Sequence, residues 1–272
     1  MSNLETLLSP GTLSMRFQPI VEERGGPPRV HAFECLTRGP AGTNFESADV
    51  LFDYARRKCA EPEIDRICTG LAVATAAGRL DGQRLSVNVH ASTLGRDAAF
   101  VDHFSELTEA FDLAPRRVIV EIVEHAEARN QRDFLASLDA LRSRGFAIAL
   151  DDVGLGHSNF RMIVDCEPDL LKIDRYFIKG VTTDARRAAV VESLVAFADA
   201  TGSRIVAEGV EDAVTRDFLL GLGVDLLQGY FYARPLSVDD AAAFIRTNAK
   251  SRKEHECPNT KEFSSSMTPT QC

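Results

Sequence analysis

Short apolar, β-branched runs alternate with longer stretches of helical period through most of this chain. The runs are SMRFQPIV (14–21), VHAFECL (30–36), LSVNV (85–89), VIVEIV (118–123), AIALDDV (147–153), LLKID (170–174), RIVAEGV (204–210) and LLQGYFY (226–232). Between them apolar residues recur three and four apart, as a buried helix face requires. Phe134, Leu135, Leu138 and Leu141 form one such face; Val190, Val191, Leu194, Val195 and Ala198 form another. Ser47 and Pro62 stand where helices would start, and Gly145 and Gly202 where they would stop. Eight strands mostly separated by helices predict an α/β fold, a TIM-like (β/α)8 barrel. The segment ERGGPPR between the first two runs is too short for a helical crossover, so the first strand is expected to be antiparallel. An open doubly wound sheet is the alternative, but it gives no reason for polar side chains on nearly every strand.

The barrel is assigned to residues 14–248, after an N-terminal leader (1–13) and before a polar tail (249–272). The tail has no apolar period and is expected to be disordered, because it buries too little to offset its ordering entropy. The short leader is expected to leave no room for a sensor domain, so input is expected from a separate sensor or regulator protein, from oligomerisation or from substrate supply. A net charge of −9 argues against DNA or RNA duplexes as partners, since those call for basic stripes. It leaves open a small phosphate ligand held through metal ions. The six cysteines form no CxxC pair and read as reduced thiols, which predicts a cytoplasmic protein. Neither a signal peptide nor an apolar stretch of about 18 residues is present, so no membrane association is expected.

Polar residues interrupt runs that a barrel should bury. Glu34 lies in the second run, Asn88 in the third, Glu121 in the fourth, with Glu124 just after it. Asp151 and Asp152 lie in the fifth, Lys172 and Asp174 in the sixth, Glu208 in the seventh with Glu211 after it, and Gln228 in the eighth. The C-terminal ends of parallel barrel strands converge on one mouth. Carboxylates gathered there would repel and raise one another's pKa unless cations joined them. Glu, Asn and Asp are hard oxygen donors, suited to Mg²⁺ or Mn²⁺ rather than zinc, and adjacent aspartates could bridge two ions. Such a pair suits phosphoester hydrolysis. Proton abstraction with Mg²⁺ and a lysine base is the rival chemistry.

The motifs also resemble a known family. FECLTR (33–38) is similar to the Glu-Ala-Leu signature of EAL-type cyclic-di-GMP phosphodiesterase domains, with Cys35 in place of alanine. FQPIV (17–21), LSVNVHASTL (85–94), VEIVEHA (120–126), ALDDVGLGHSN (149–159), LKIDRYFI (171–178), VAEGVED (206–212) and LQGYFYARPL (227–236) follow in family order. The resemblance implies hydrolysis of cyclic-di-GMP to linear pGpG with two Mg²⁺ or Mn²⁺ ions. By it, Glu34, Asn88, Glu121 and Asp151 would hold one ion, and Asp151 would bridge to a second beside Asp152 and near Glu208. Lys172, with a pKa depressed by the ions, would position or deprotonate the attacking water. Gln228 would complete the site, Arg38 would contact a phosphate, and Gln18 and Asp65 would lie near the substrate. Glu124 would support the loop after the fifth strand, and a homodimer near that loop is implied.

That loop departs from the family pattern DDFGTGYS: Val153, Leu155 and His157 replace Phe, Thr and Tyr, and Val123 replaces a threonine. Catalysis is expected to survive with altered regulation. The alternative is a catalytically inactive receptor or interaction module that still binds the nucleotide. Asp174 is expected to be structural, Glu211 a cap for the next turn, and His90, His125 and His157 ordinary loop residues.

Overall fold

A computed structural model describes residues 3–9, 11–24, 26–123, 131–155 and 160–256. The strands are β1 (Ser14–Glu22), β2 (Arg29–Arg38), β3 (Leu85–His90), β4 (Val118–Val123), β5 (Ala147–Val153), β6 (Leu170–Ile173), β7 (Arg204–Ala207) and β8 (Leu226–Gln228). They close into a barrel in sequence order. β1 is antiparallel to both β2 and β8, and every other pairing is parallel. The expected reversal of the first strand is therefore present.

The helices are α1 (Asn3–Leu7), α2 (Ala48–Arg57), α3 (Glu61–Ala76), α4 (Ala91–Arg96), α5 (Phe100–Ala110), α6 (Gln131–Ser143), α7 (Phe160–Cys166), α8 (Arg175–Ile178), α9 (Ala185–Thr201), α10 (Ala213–Gly221) and α11 (Val238–Glu256). Among the described residues side-chain oxygens start four of them: Asp174, Asp184, Asp212 and Ser237 accept from the backbone N–H of Tyr176, Arg186, Thr215 and Asp240. Among the described residues no helix is long and apolar enough to cross a membrane.

Strand alternation sorts the core into two regions. One set of buried residues, including Val87, Val120, Ile148, Leu171 and Ile205, packs with the helices. The other set, Ile20, Ala32, Ile119, Ala149, Leu170, Val206 and Leu226, fills the inside of the barrel. Counting two residues on from Ala32, Ile119, Ala149, Leu170, Val206 and Leu226 gives Glu34, Glu121, Asp151, Lys172, Glu208 and Gln228. Two residues before Ile20, on the reversed strand, is Gln18. Seven of the eight strands thus carry an apolar plug and, one pleat higher, a polar group on the same face, while β3 carries Ser86 and Asn88 there.

Four boundaries differ from the sequence reading. The segment read as a leader belongs to the fold: Leu7 and Leu13 pack with Leu51, Ala55, Ile64 and Cys68. At the other end α11 runs on to Glu256, past the expected start of the tail. The apolar period fades near Ile245, but Ala, Lys, Arg and Glu sustain a helix by propensity. Residues 257–272 lie outside the described residues. β7 and β8 also end earlier than their runs suggest, because the chain turns at Gly209 and Gly229. A Cβ at Gly229 would sit 2.1 Å from the Val210 carbonyl oxygen, so only glycine lets these two strand ends approach.

Candidate active site

The polar layer meets at Lys172, 2 % exposed. Its Nζ lies 2.6 Å from Glu208 Oε1, 3.3 Å from Glu34 Oε2 and 3.4 Å from Asp151 Oδ1, and it donates to Glu121. β2, β4 and β5 each supply one of these carboxylates, and Glu208 follows directly after β7. Glu34 also accepts from Gln228 Nε2 at 2.6 Å and from Asn88 Nδ2 at 3.3 Å. Ser86, two residues before Asn88 and on the same face of β3, donates to Glu121 at 2.8 Å. No motif singles out Ser86; its period-two relation to Asn88 on β3 is the one sequence signal for it. Gln18 donates to the Ala233 carbonyl and accepts from Gln228 at 3.4 Å.

The electrostatics follow from this crowding. Burial pushes Glu121 well up; Lys172 opposes the rise, and Glu34, Asp151 and Glu208 add to it. Burial, opposed by Lys172 and reinforced by Asp151 and Glu34, raises Glu208 to about 8. Burial and then Asp151 raise Asp152 to about 6. Burial works against the charge on Glu34 too, but Lys172 and the Gln228 and Asn88 amides hold it low. Burial likewise opposes the charge on Lys172, and Asp151, Glu121, Glu208 and Glu34 outweigh it and raise its pKa. The depressed lysine expected from the sequence is therefore not a property of these side chains alone. It requires positive charge among the carboxylates.

The donor set fits divalent cations. Two groups of carboxylate oxygens, Glu34 with Glu121 and Glu208, and Asp151 with Asp152 and Glu208, each lie within 4.8 Å of one another. Asn88 Oδ1 is buried with no hydrogen-bond partner, a lone pair left for a cation. All these donors are oxygens, the preference of Mg²⁺ and Mn²⁺.

A cavity of about 400 Å³ opens over this cluster. Gln18, Glu34, Asp151, Lys172, Glu208 and Gln228 line it, so the structure brings together most of the residues singled out from the sequence. Leu36, Asp49, Arg175 and Tyr230 also line it and were not foreseen. Glu211 faces the cavity as well, while the cap expected of it on α10 is made by Asp212.

Two expected substrate contacts are placed otherwise. Asp65 is 1 % exposed on α3 and spends its carboxylate inside the protein. It accepts from the His90 backbone N–H at 2.9 Å and from Thr93 Oγ1 at 2.5 Å, fastening α3 to the start of α4. His90, expected in a loop, is the buried last residue of β3, with its Nδ1 3.3 Å from Asp65. Arg38 does not line the cavity; its guanidinium donates to the Thr37 carbonyl at 3.0 Å. Asp174 is structural as expected, capping α8. Glu124, His125 and His157 lie outside the described residues.

At the end of β5 Val153 is buried in the core, and Gly154, the first residue after the strand, has φ +95°. A Cβ on Gly154 would approach Phe177 Cε2 to 2.8 Å, so this turn is reserved for glycine sterically and conformationally.

A barrel with one reversed strand and a carboxylate-rich mouth defines a class of acidic, cation-seeking sites. Comparison with known proteins makes the class specific. The EAL domain family model matches residues 1–235, and the chain belongs to that family. It is 38% identical over 152 residues to the cyclic di-GMP phosphodiesterase RocR of Pseudomonas aeruginosa, covering 56% of this chain and 38% of that protein. The chain thus spans well under half of that relative's length. Among solved structures, the PaMucR phosphodiesterase in complex with c-di-GMP superposes with a TM-score of 0.77 at 28% identity, covering 88% of this chain and 98% of that one. Klebsiella pneumoniae BlrP1 in a manganese and cyclic-di-GMP complex gives 0.74 at 28% identity, covering 84% of this chain and 57% of that one.

Proposed function

We propose that this protein is a cyclic-di-GMP phosphodiesterase that hydrolyses the cyclic dinucleotide to linear pGpG with two Mg²⁺ or Mn²⁺ ions. The observation that carries the reading is the layer of carboxylates around Lys172 with the unpartnered Asn88 oxygen beside it. The names of the EAL relatives, RocR and PaMucR among them, supply the substrate.

Glu34, Asn88, Glu121 and Asp151 would hold one ion, and Asp151, Asp152 and Glu208 the other. When bound, two such ions acidify water and take up charge on a leaving oxygen. The chain's own contribution is orientation and proton control. Lys172 holds the carboxylates in one arrangement and, once cations among them lower its pKa, would position the attacking water or accept a proton from it. Gln228 fixes Glu34 by its 2.6 Å bond. Gln18 and, after a swing of its side chain away from Thr37, Arg38 offer donors to substrate oxygens; Arg38 would grip a phosphate with its fork of N–H groups. The apolar plug beneath the polar layer keeps water out from below.

We place the protein in the cytoplasm, acting as a homodimer near the loop after β5. Phe160 on α7 is 65% exposed, with Val164 and Tyr176 also exposed nearby in the chain, and such side chains favour a covered face. The test is purified protein with cyclic-di-GMP and Mg²⁺ or Mn²⁺, following pGpG by chromatography, with a chelator control. Metal-dependent pGpG supports the enzyme. Tight nucleotide binding without product would instead make it a receptor and point to Val153 and Leu155 as the place where turnover was lost.

A further inference from the structure

We propose that Asp49 reads the hydrogen-bonding edge of a guanine base at the cavity mouth and so makes the site selective for guanine. This rests on the reading of the site as a cyclic-di-GMP site.

Asp49 lies in the first turn of α2 and is exposed into the same cavity that Lys172 floors. Among the described residues its carboxylate makes no hydrogen bond or ion pair. One turn further along the helix, Asp53 is held by Arg56 and Arg57. Glu34, Asp151 and Glu208 are drawn to Lys172. Glu211, with Arg175, also lines a neighbouring cavity that Asp49 does not line.

The rest of the mouth suits a flat base. Leu36 stands two residues from Glu34 on β2 and faces the same way, giving an apolar wall above the carboxylate cluster. Tyr230 is 51% exposed, with the Arg234 guanidinium 4.1 Å from its ring centre, a stacked pair that offers a planar platform. Aromatic faces hold any base. Selection among bases therefore falls to the polar edge group. Guanine presents adjacent N1–H and N2–H donors there, and a carboxylate can accept both. Adenine presents the N1 lone pair instead, which a carboxylate repels.

The experiment is equilibrium binding by calorimetry, with Ca²⁺ present, of cyclic-di-GMP, cyclic-di-AMP and the inosine analogue that lacks the N2 amine. Wild type should bind the guanine ligand about 10- to 100-fold more tightly than the inosine one, the range for one charge-assisted hydrogen bond. Asp49→Ala should collapse that ratio to about threefold or less, and Asp49→Asn should lie between. Glu211→Gln should leave the ratio as it is. A helix-start role alone would lower stability without moving the ratio, so circular dichroism melts accompany each variant. A preserved guanine-to-inosine ratio in Asp49→Ala, or its loss in Glu211→Gln, would overturn the assignment while leaving the phosphodiesterase reading in place. Failure of wild type to bind any of the three would bring down both.

Discussion

Gln228 reaches across the reversed first strand to donate its side-chain amide to Glu34 at 2.6 Å. Their backbones do not pair with each other: Gln228 registers with Ile20, and Glu34 with Gln18, on opposite edges of β1. The antiparallel strand therefore sets the spacing between the last and second strands. The amide fixes one Glu34 oxygen, while Asn88 engages the other.

Glu34 is the residue on which this network leans. Glu34→Ala removes the acceptor for both amides and, on the proposed reading, a cation ligand. Hydrolysis of cyclic-di-GMP is expected to fall more than about 100-fold, since removing even an outer partner of a metal site costs about 10–100-fold. Lys172→Ala should lose turnover while keeping much of the nucleotide binding. An unchanged rate in Glu34→Ala would refute the ligand assignment.

If the carboxylates take up cations as proposed, Lys172 has a role in stability that metal would replace. Removing it leaves mutually repelling carboxylates in the barrel mouth, and breaking a buried ion pair in this way costs about 3–5 kcal/mol. Lys172→Ala should melt several degrees below wild type in chelator. Addition of Mn²⁺ should raise its melting temperature more than it raises that of wild type. An equal shift in both proteins would argue that the carboxylates do not take up the ion.

The same carboxylates give the metal-free protein a pH dependence. Glu208 and Asp152, raised to about 8 and about 6, bind protons in the folded state that the unfolded chain has released. Their contribution to stability is full below the ordinary carboxylate range and is lost as pH rises from about 4 to about 8, the share of Asp152 by about 6. Denaturant midpoints in chelator should therefore fall over that interval. Saturating Mn²⁺ should reverse the fall.

At the opposite end of the barrel His31 acts with the other sign. Its ring sits between Arg84, 3.3 Å from Nε2, and Arg204, 3.4 Å from Nδ1. Burial first, then Arg204 and Arg84, depress it to about 4, against a weaker pull from Glu22. The unfolded chain takes up the proton first, so this contribution is present above about pH 6.5 and lost as pH falls toward 4. It amounts to on the order of 3 kcal/mol. His31→Gln keeps hydrogen-bonding groups and cannot titrate, so its acid limb between pH 6.5 and 4 should be flatter than that of wild type.

Asp65 separates structure from substrate contact. Asp65→Ala leaves the His90 N–H and the Thr93 hydroxyl unsatisfied in a buried place, at a cost of about 2–4 kcal/mol. Urea unfolding should show this loss, while KM for cyclic-di-GMP in the folded fraction stays as in wild type. A KM rise without a stability loss would return Asp65 to the substrate.

Much of this protein is determined by local sequence rules. A period of two puts Glu34 on the face of Ala32, Glu121 on that of Ile119 and Lys172 on that of Leu170 wherever those strands form. The short GGPP turn excludes a parallel start. Oxygen-only donors select hard cations before any geometry is known. What the tertiary structure decided is which of these groups meet and which do not. Lys172 draws carboxylates from three strands and from just after a fourth because barrel closure and register, not sequence distance, set their separation. The fates of Asp65 and Asp49 illustrate the limit. Both are acidic residues on helices, and only the packing of α3 and α2 against the strands buries one among backbone donors and leaves the other facing the cavity.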